Sequence, residues 1–316
     1  MKFVQQLSTL FLSSGDLIAD RRYAWAQDCE AKGDLHAAAE LLLQALELTP
    51  GYASAWFALG EIREKLSDRT GAIDAFTKAR DADPDDRHGA VLNLIRLGAN
   101  APADLPPAYV RALFDHYASA FDKALTEGLG YQAPALLFAA VKKACETTGQ
   151  PARFRAMLDL GCGTGLAGAV FRPVVDRLVG MDLSPRMIEQ ARAKALYDRL
   201  EVLDMLGFLT EEAAQADYDL IVAADVFVYL PDLAPVAAAA ARVLAPGGVF
   251  AFTVERQPGD GVILGPALRY AHGADHVRTA IECSGLHLLS LDTVATRTEK
   301  GLPVPGLVAV AQVPSS

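Results

Sequence analysis

The run Met157-Leu-Asp-Leu-Gly-Cys-Gly-Thr-Gly165 constrains this chain more than any other stretch. Residues 154–160 are mostly apolar, carry one acid at Asp159, and break into Gly161, Gly163 and Gly165; a small-residue run, 166–171, follows at once. That order reads as a buried parallel strand, a tight turn and a helix, with glycines where a ligand presses on the backbone. A dinucleotide loop asks for G-x-G-x-x-G. Counted from Gly161 the last position is Leu166 and fails; counted from Gly163 it is Gly168 and fits, so the glycines alone leave a dinucleotide open. A phosphate loop needs a lysine after its last glycine, and none lies in this turn. Asp159 would repel a polyanion and attract a cation. The loop best fits a nucleoside that carries positive charge and no phosphate.

With these residues in view, D-L-G-C-G-T-G resembles the first motif of class I S-adenosylmethionine (SAM) methyltransferases, whose cofactor carries an amino group and a sulfonium. The strand and helix patterns downstream alternate, which argues for a doubly wound α/β sheet. Residues 178–183 read as the second strand, with Asp182 standing 21 positions beyond Gly161. Dinucleotide and SAM folds place there the acid that accepts both ribose hydroxyls. Residues 200–204 read as the third strand, with Asp204 and Met205 at its end, and the resemblance implies that this acid takes the adenine amino group. The fourth strand, 217–225, is apolar enough for burial on both faces and ends in Asp225. A sharp turn at 244–248 leads into the fifth, 249–255. Strands at 286–295 and 307–313 would complete a mostly parallel, seven-stranded sheet whose last strand is antiparallel. The resemblance implies a cofactor site of Asp159, Gly161, Cys162, Gly163, Gly165, Asp182, Leu183, Asp204 and Met205.

Ahead of this sheet the chain reads as helices at 109–122 and 132–143. The pattern Phe-Asp-x-Tyr-Ala-x-x-Phe-Asp, from Phe114 to Asp122, resembles the helical lid of small-molecule SAM methyltransferases. In that resemblance Tyr117 and Phe121 cover the cofactor, and Tyr131, after the glycines at 128 and 130, is a further candidate. Aromatic stripes on helices are also ordinary core.

The first hundred residues repeat. Ala38, Leu42, Ala45 and Pro50 recur 34 residues later as Ala72, Phe76, Ala79 and Pro84, and the turn Gly33-Asp34 recurs as Ser67-Asp68. With Trp56, Leu59 and Gly60 the pattern resembles tetratricopeptide (TPR) helix pairs, in which alanines let antiparallel helices approach closely. A third copy begins at 87–97 and stops. Such a stack usually needs roughly three repeats, so residues 1–14 or the half repeat should cap it, unless it leans on the second domain or another protomer. Phe3, Leu7, Leu10 and Phe11 fall on one helical face. The expected organisation is an all-α repeat domain over 1–100, a proline-rich linker at 101–107 and the α/β domain over 108–316. The repeat domain either rigidifies or dimerises an enzyme, or docks a partner protein.

Charge narrows the acceptor. A formal charge of −10 gives no electrostatic footprint for a nucleic-acid backbone or an anionic membrane. No run reaches the ~18 apolar residues of a spanning helix. The four scattered cysteines form no C-x-x-C and suit a reducing cytoplasm. On the acceptor side, His272 is the candidate general base near neutral pH. Tyr270 and Arg269 would orient the acceptor, Arg269 favouring an anion, and Asp225 would border the methyl group. His272 and His276 stand at i, i+4 with Cys283 on the same face, but no adjoining acid or third ligand completes a metal site, and none is expected. The expected activity is methyl transfer from SAM to a small molecule. The competing readings are a protein methyltransferase that recruits through its repeats, a non-catalytic scaffold, and an NAD oxidoreductase, which Asp159 disfavours.

Overall fold

A computed structural model describes residues 10–123, 125, 128–214, 217–299 and 301–314. The chain divides into two compact units, one of helices that ends at Ala112 and includes Pro266–Leu268, the other built around a sheet from Leu113 onward.

The helical unit holds α1 (Leu17–Ala31), α2 (Leu35–Leu48), α3 (Ala53–Lys65), α4 (Arg69–Ala82) and α5 (Ala90–Arg96). The 34-residue period reappears as a repeated start signal. Asp34 caps α2 by accepting from Ala37 N at 3.1 Å, and Asp68 caps α4 by accepting from Gly71 N at 2.9 Å. Small residues sit where helices meet: a Cβ on Gly60 would lie 2.7 Å from the Phe76 ring. The last of these helices, α5, packs Ala90 and Leu94 with Phe57, Phe76 and Ala79. The expected helical face of residues 1–14 is corrected in part. Phe3 and Leu7 lie outside the described residues, and residues 10–14 are not helical. Leu12 instead donates its N–H to Ser54 Oγ at 2.9 Å, and the Phe11 ring lies 5.5 Å from that of Tyr23. A side-chain hydroxyl here satisfies main chain that a helix would have satisfied internally.

After α5 comes α6 (Pro107–Tyr117), whose residues from Leu113 belong to the sheet unit; it breaks into a 3₁₀ turn, Ala118–Ala120, before the short α7 (Phe121–Lys123) and then α8 (Ala133–Thr148). The sheet alternates with helices: β1 (Phe154–Leu160), α9 (Leu166–Phe171), β2 (Val175–Asp182), α10 (Pro185–Ala193), β3 (Arg199–Val202), α11 (Met205–Glu212), β4 (Tyr218–Ala223), α12 (Ala234–Val243) and β5 (Leu244–Arg256). Then come β6 (Val262–Leu264), β7 (Tyr270–His272), α13 (Ala274–Cys283), β8 (His287–Glu299) and β9 (Leu302–Gln312). The main order is β3-β2-β1-β4-β5-β9-β8, with β9 antiparallel to both its neighbours. β1 and β4 are almost wholly buried, as a sheet covered on both faces requires.

Two strands exceed the seven expected. β4 pairs with β5 only as far as Ala223 opposite Phe252. Beyond it β5 continues to Arg256, and β7 pairs there in parallel, Glu255 with Ala271 and Arg256 with His272. Because β9 occupies the other edge of β5 up to Glu255, β7 takes the place that β4 has vacated. Backbone groups that a shorter strand would have left unpaired find partners this way. The stretch between β5 and α13 thus contributes β6 and β7.

Candidate active site

The chain reverses its strand order between β1 and β4, and the carboxyl ends of the strands at such a switch point are where open α/β sheets bind ligands. Asp159 stands near the end of β1, Asp182 at the end of β2, and Asp225 just beyond β4. The turn after β1 needs its glycines. Gly161, Gly163 and Gly165 all have positive φ, at +64°, +54° and +91°, a region that costs other residues. A Cβ on Gly161 would also stand 2.5 Å from Val226.

The buried carboxylates share this turn. Asp182 accepts from Gly163 N at 2.9 Å and from Ser184 N at 2.8 Å, tying the loop to the tip of β2. Asp159 is 1% exposed; its Oδ2 accepts from the Tyr197 hydroxyl at 2.6 Å, and its Oδ1 has no hydrogen bond of good geometry. Burial pushes the Asp159 carboxyl up to about 7 and that of Asp182 up to about 6. The Tyr197 hydroxyl and the Gly168 N–H oppose this rise at Asp159, and the Asp182 carboxylate adds to it. Cys162 is buried, with its thiol pushed well up by burial. Two unneutralised acids under a glycine turn suit a cationic nucleoside and reject a pyrophosphate.

The helices ahead of the sheet are bonded to the same loop. Asp115 of α6 accepts from Ser184 Oγ at 2.5 Å, and Asp122 of α7 accepts from Thr164 and pairs with Lys194. The Phe121 ring stands 3.8 Å from where a Cβ on Gly163 would be. Tyr117 is half-buried, its ring 5.1 Å from that of His116. On the β3 side Leu183 is half-buried, and Asp204 is exposed and caps α11 by accepting from Gly207 N at 2.8 Å, with Met205 packed against the core behind it.

Beyond β4 lies a network of opposite charges. Asp225 has φ +54° and is held by Thr253, whose Oγ1 accepts from Asp225 N at 2.8 Å and donates to Asp225 Oδ1 at 2.7 Å. Arg297, only 5% exposed, donates to Asp225 at 3.1 Å, to Glu299 at 3.1 Å and to Glu255. Arg269 donates to Glu255 at 2.5 Å and to Glu299. Burial would lower the Arg297 pKa, but Asp225, Glu255 and Glu299 outweigh it and raise it. Tyr131 and Tyr229 feel the same charges.

A sequence-family model described as a methyltransferase domain matches residues 158–250, from β1 through the middle of β5. This stretch is similar to methyltransferase domains. The ubiquinone biosynthesis O-methyltransferase of Thiobacillus denitrificans is 33% identical over 113 residues, which cover 34% of this chain and 48% of that protein. Methyltransferase-like protein 27 of Homo sapiens is 35% identical over 116 residues, 36% of this chain and 46% of that protein. Among solved structures, the magnesium protoporphyrin IX methyltransferase of Synechocystis with bound SAH is 16% identical, with a TM-score of 0.48 over 66% of this chain and 99% of that one. The chain spans about half the length of the curated relatives it matches.

Within the matched stretch the loop glycines, Cys162, Asp159 and Asp182 come together, and Asp225 stands on the same edge of the sheet. Three acceptor-side candidates are buried or already paired. His272 is not presented as a base: it lies in β7 at 0% exposure, stacked on His276 with ring centroids 5.4 Å apart, and burial lowers its pKa to about 4. Tyr270 is also fully buried, since β7 alternates inward at both ends and outward only at Ala271. Arg269 offers no spare charge to an anionic acceptor, because Glu255 and Glu299 already neutralise it. Sequence reasoning missed Tyr197, Thr253, Glu255 and Arg297. Arg297 falls past the end set for its strand, and nothing local marks the others.

Proposed function

We propose that this protein transfers the methyl group of S-adenosylmethionine to a small-molecule acceptor. The observation that carries this is the pair of buried acids, Asp159 and Asp182, beside a glycine turn, whose hydrogen-bond partners among the described residues are neutral. SAM supplies the missing positive charge and an electrophilic methyl carbon. Asp182 holds the ribose, Asp159 faces the amino group, Asp204 and Met205 border the adenine, and Tyr117 with Phe121 closes over the cofactor. Displacement at the methyl carbon needs alignment and exclusion of water more than proton transfer, which agrees with the burial of His272. Asp225 and its network border the acceptor; with three carboxylates to two guanidiniums they disfavour an anionic one. The names of the relatives, an O-methyltransferase of ubiquinone biosynthesis among them, support a small molecule.

The helical unit we read as TPR-like, serving a protein partner or self-association; paired helices with repeated aspartate caps support that. Four free cysteines fit a cytoplasmic protein. Among the described residues no helix is long and apolar enough to cross a membrane.

Thermal shift and calorimetry with SAM, S-adenosylhomocysteine (SAH) and NAD test the cofactor. SAM and SAH should raise the melting temperature and NAD should not; a response to NAD alone overturns the assignment. Methyl transfer from labelled SAM into pooled phenols, amines and thiols, with protein substrates in a parallel arm, then separates a small acceptor from a recruited protein.

A further inference from the structure

Two glycines have no part in the ligand turn, Gly168 in α9 and Gly180 in β2, and one side chain accounts for both. A Cβ on Gly168 would fall 2.3 Å from the hydroxyl of Tyr197, and one on Gly180 would fall 2.7 Å from its ring; at Gly165 the distance is 3.0 Å. Gly168, which completes a dinucleotide-like spacing in the sequence, is therefore small to admit a tyrosine. Tyr197 comes from the connection between α10 and β3, and its neighbour anchors it there. Asp198 N donates to Leu178 O at 2.8 Å, and the Asp198 carboxylate accepts from Leu178 N at 2.7 Å.

The hydroxyl so placed donates to Asp159 Oδ2 at 2.6 Å, while Asp159 Oδ1 is buried without a hydrogen bond of good geometry, the Gly168 N–H being the backbone donor that faces the carboxyl. A carboxylate with one oxygen fixed has its other oxygen aimed, and a buried acceptor without a well-aligned donor calls for a ligand that brings one. We propose that Tyr197 is a positioning residue for the cofactor: it fixes Asp159 through Oδ2 so that Oδ1 receives the ammonium group of SAM. The inference rests on the SAM reading above. The tyrosine's hydrogen bond, with that of the Gly168 N–H, favours the ionised form of Asp159 against the burial that raises the carboxyl to about 7. Asp182 works the other way, and Cys162 and Tyr131, titratable groups in the same field, bring no positive charge.

The test compares SAH with 5′-methylthioadenosine, which keeps the nucleoside and lacks the amino acid end. Tyr197→Phe retains the ring among the three glycines and deletes only the donor. Calorimetry from pH 5.5 to 8.5 should find SAH bound about tenfold more weakly, as for loss of one charge-assisted contact. Methylthioadenosine affinity and melting temperature should hold, and the acid-side midpoint of SAH binding should move to higher pH. Equal loss of both ligands, or SAH binding with an unmoved midpoint, overturns the positioning role. Should Tyr197→Phe fail to fold, Asp159→Asn carries the same test, and a loss of SAH without loss of methylthioadenosine is again required. A wild-type protein that binds neither compound overturns the SAM reading itself.

Discussion

Gly163 donates its backbone N–H to Oδ2 of Asp182 across 2.9 Å, so the ligand turn after β1 and the tip of β2 are held as one piece before any ligand arrives. Asp182 Oδ1 accepts from Ser184 N, which starts α10. Removing this carboxylate therefore releases the turn and, on the proposed reading, strips the ribose of its acceptor together. Asp182→Ala should weaken SAH by about tenfold to a hundredfold, the range for hydrogen bonds to a charged group worth ~1.5–3 kcal/mol. Isothermal titration reads it, and unchanged affinity would remove Asp182 from the site.

Gly161 and Gly149 have nearly the same backbone, φ +64° and +69°, but different surroundings. A Cβ on Gly149 meets nothing within 4 Å, whereas one on Gly161 meets Val226 at 2.5 Å. Gly149→Ala should cost only the left-handed strain, about 1 kcal/mol. Gly161→Ala should cost clearly more in urea unfolding, and adding Val226→Ala should recover part of the difference. Equal costs in the two single variants would refute the close contact.

Arg297 is the counter-ion of three carboxylates at 5% exposure. Arg297→Met leaves Asp225, Glu255 and Glu299 with one guanidinium, that of Arg269. Breaking a buried pair from one side costs about 3–5 kcal/mol. The exposed pair of Arg153 with Asp176, with Arg153 at 68%, is the control, and Arg153→Met should cost under about 1 kcal/mol. Chemical denaturation of both variants decides whether the buried network carries stability.

His272 makes stability depend on pH. Its folded pKa, about 4, lies below the ordinary 6.5 because burial disfavours the imidazolium, with His276 adding to the effect. Between those values the unfolded chain binds more protons than the native one, so stability rises with pH through that window and is lost as pH falls through it. His272→Leu should shrink the gap in unfolding free energy between pH 5 and pH 7.5 by roughly 1–2 kcal/mol. A gap as wide in the variant as in the wild type would show that the ring is solvated.

How much of this protein was legible in its sequence varies with the range of the interactions. The glycine turn, the strand that precedes it and the acids at strand tips are local signals: positive φ selects glycine within a few residues, and a doubly covered strand must be apolar along its whole length. For that reason residues 154–160 are legible as β1, and Asp159, Asp182 and the three turn glycines come together. The aspartate caps of α2 and α4 were likewise carried by the 34-residue period.

What the tertiary structure alone decided was which side chains meet across long separations. Gly168 looks like part of a nucleotide motif until Tyr197, 29 residues away, is seen filling its Cβ position. His272 reads as a base until β7 slides into the edge that β4 leaves and buries it. Arg269 reads as an anion receptor until Glu255 and Glu299 are found on it. Each reversal has one physical cause: a polar side chain's charge and reach belong to its folded neighbours, and their identity is settled by packing that no nearby residue records.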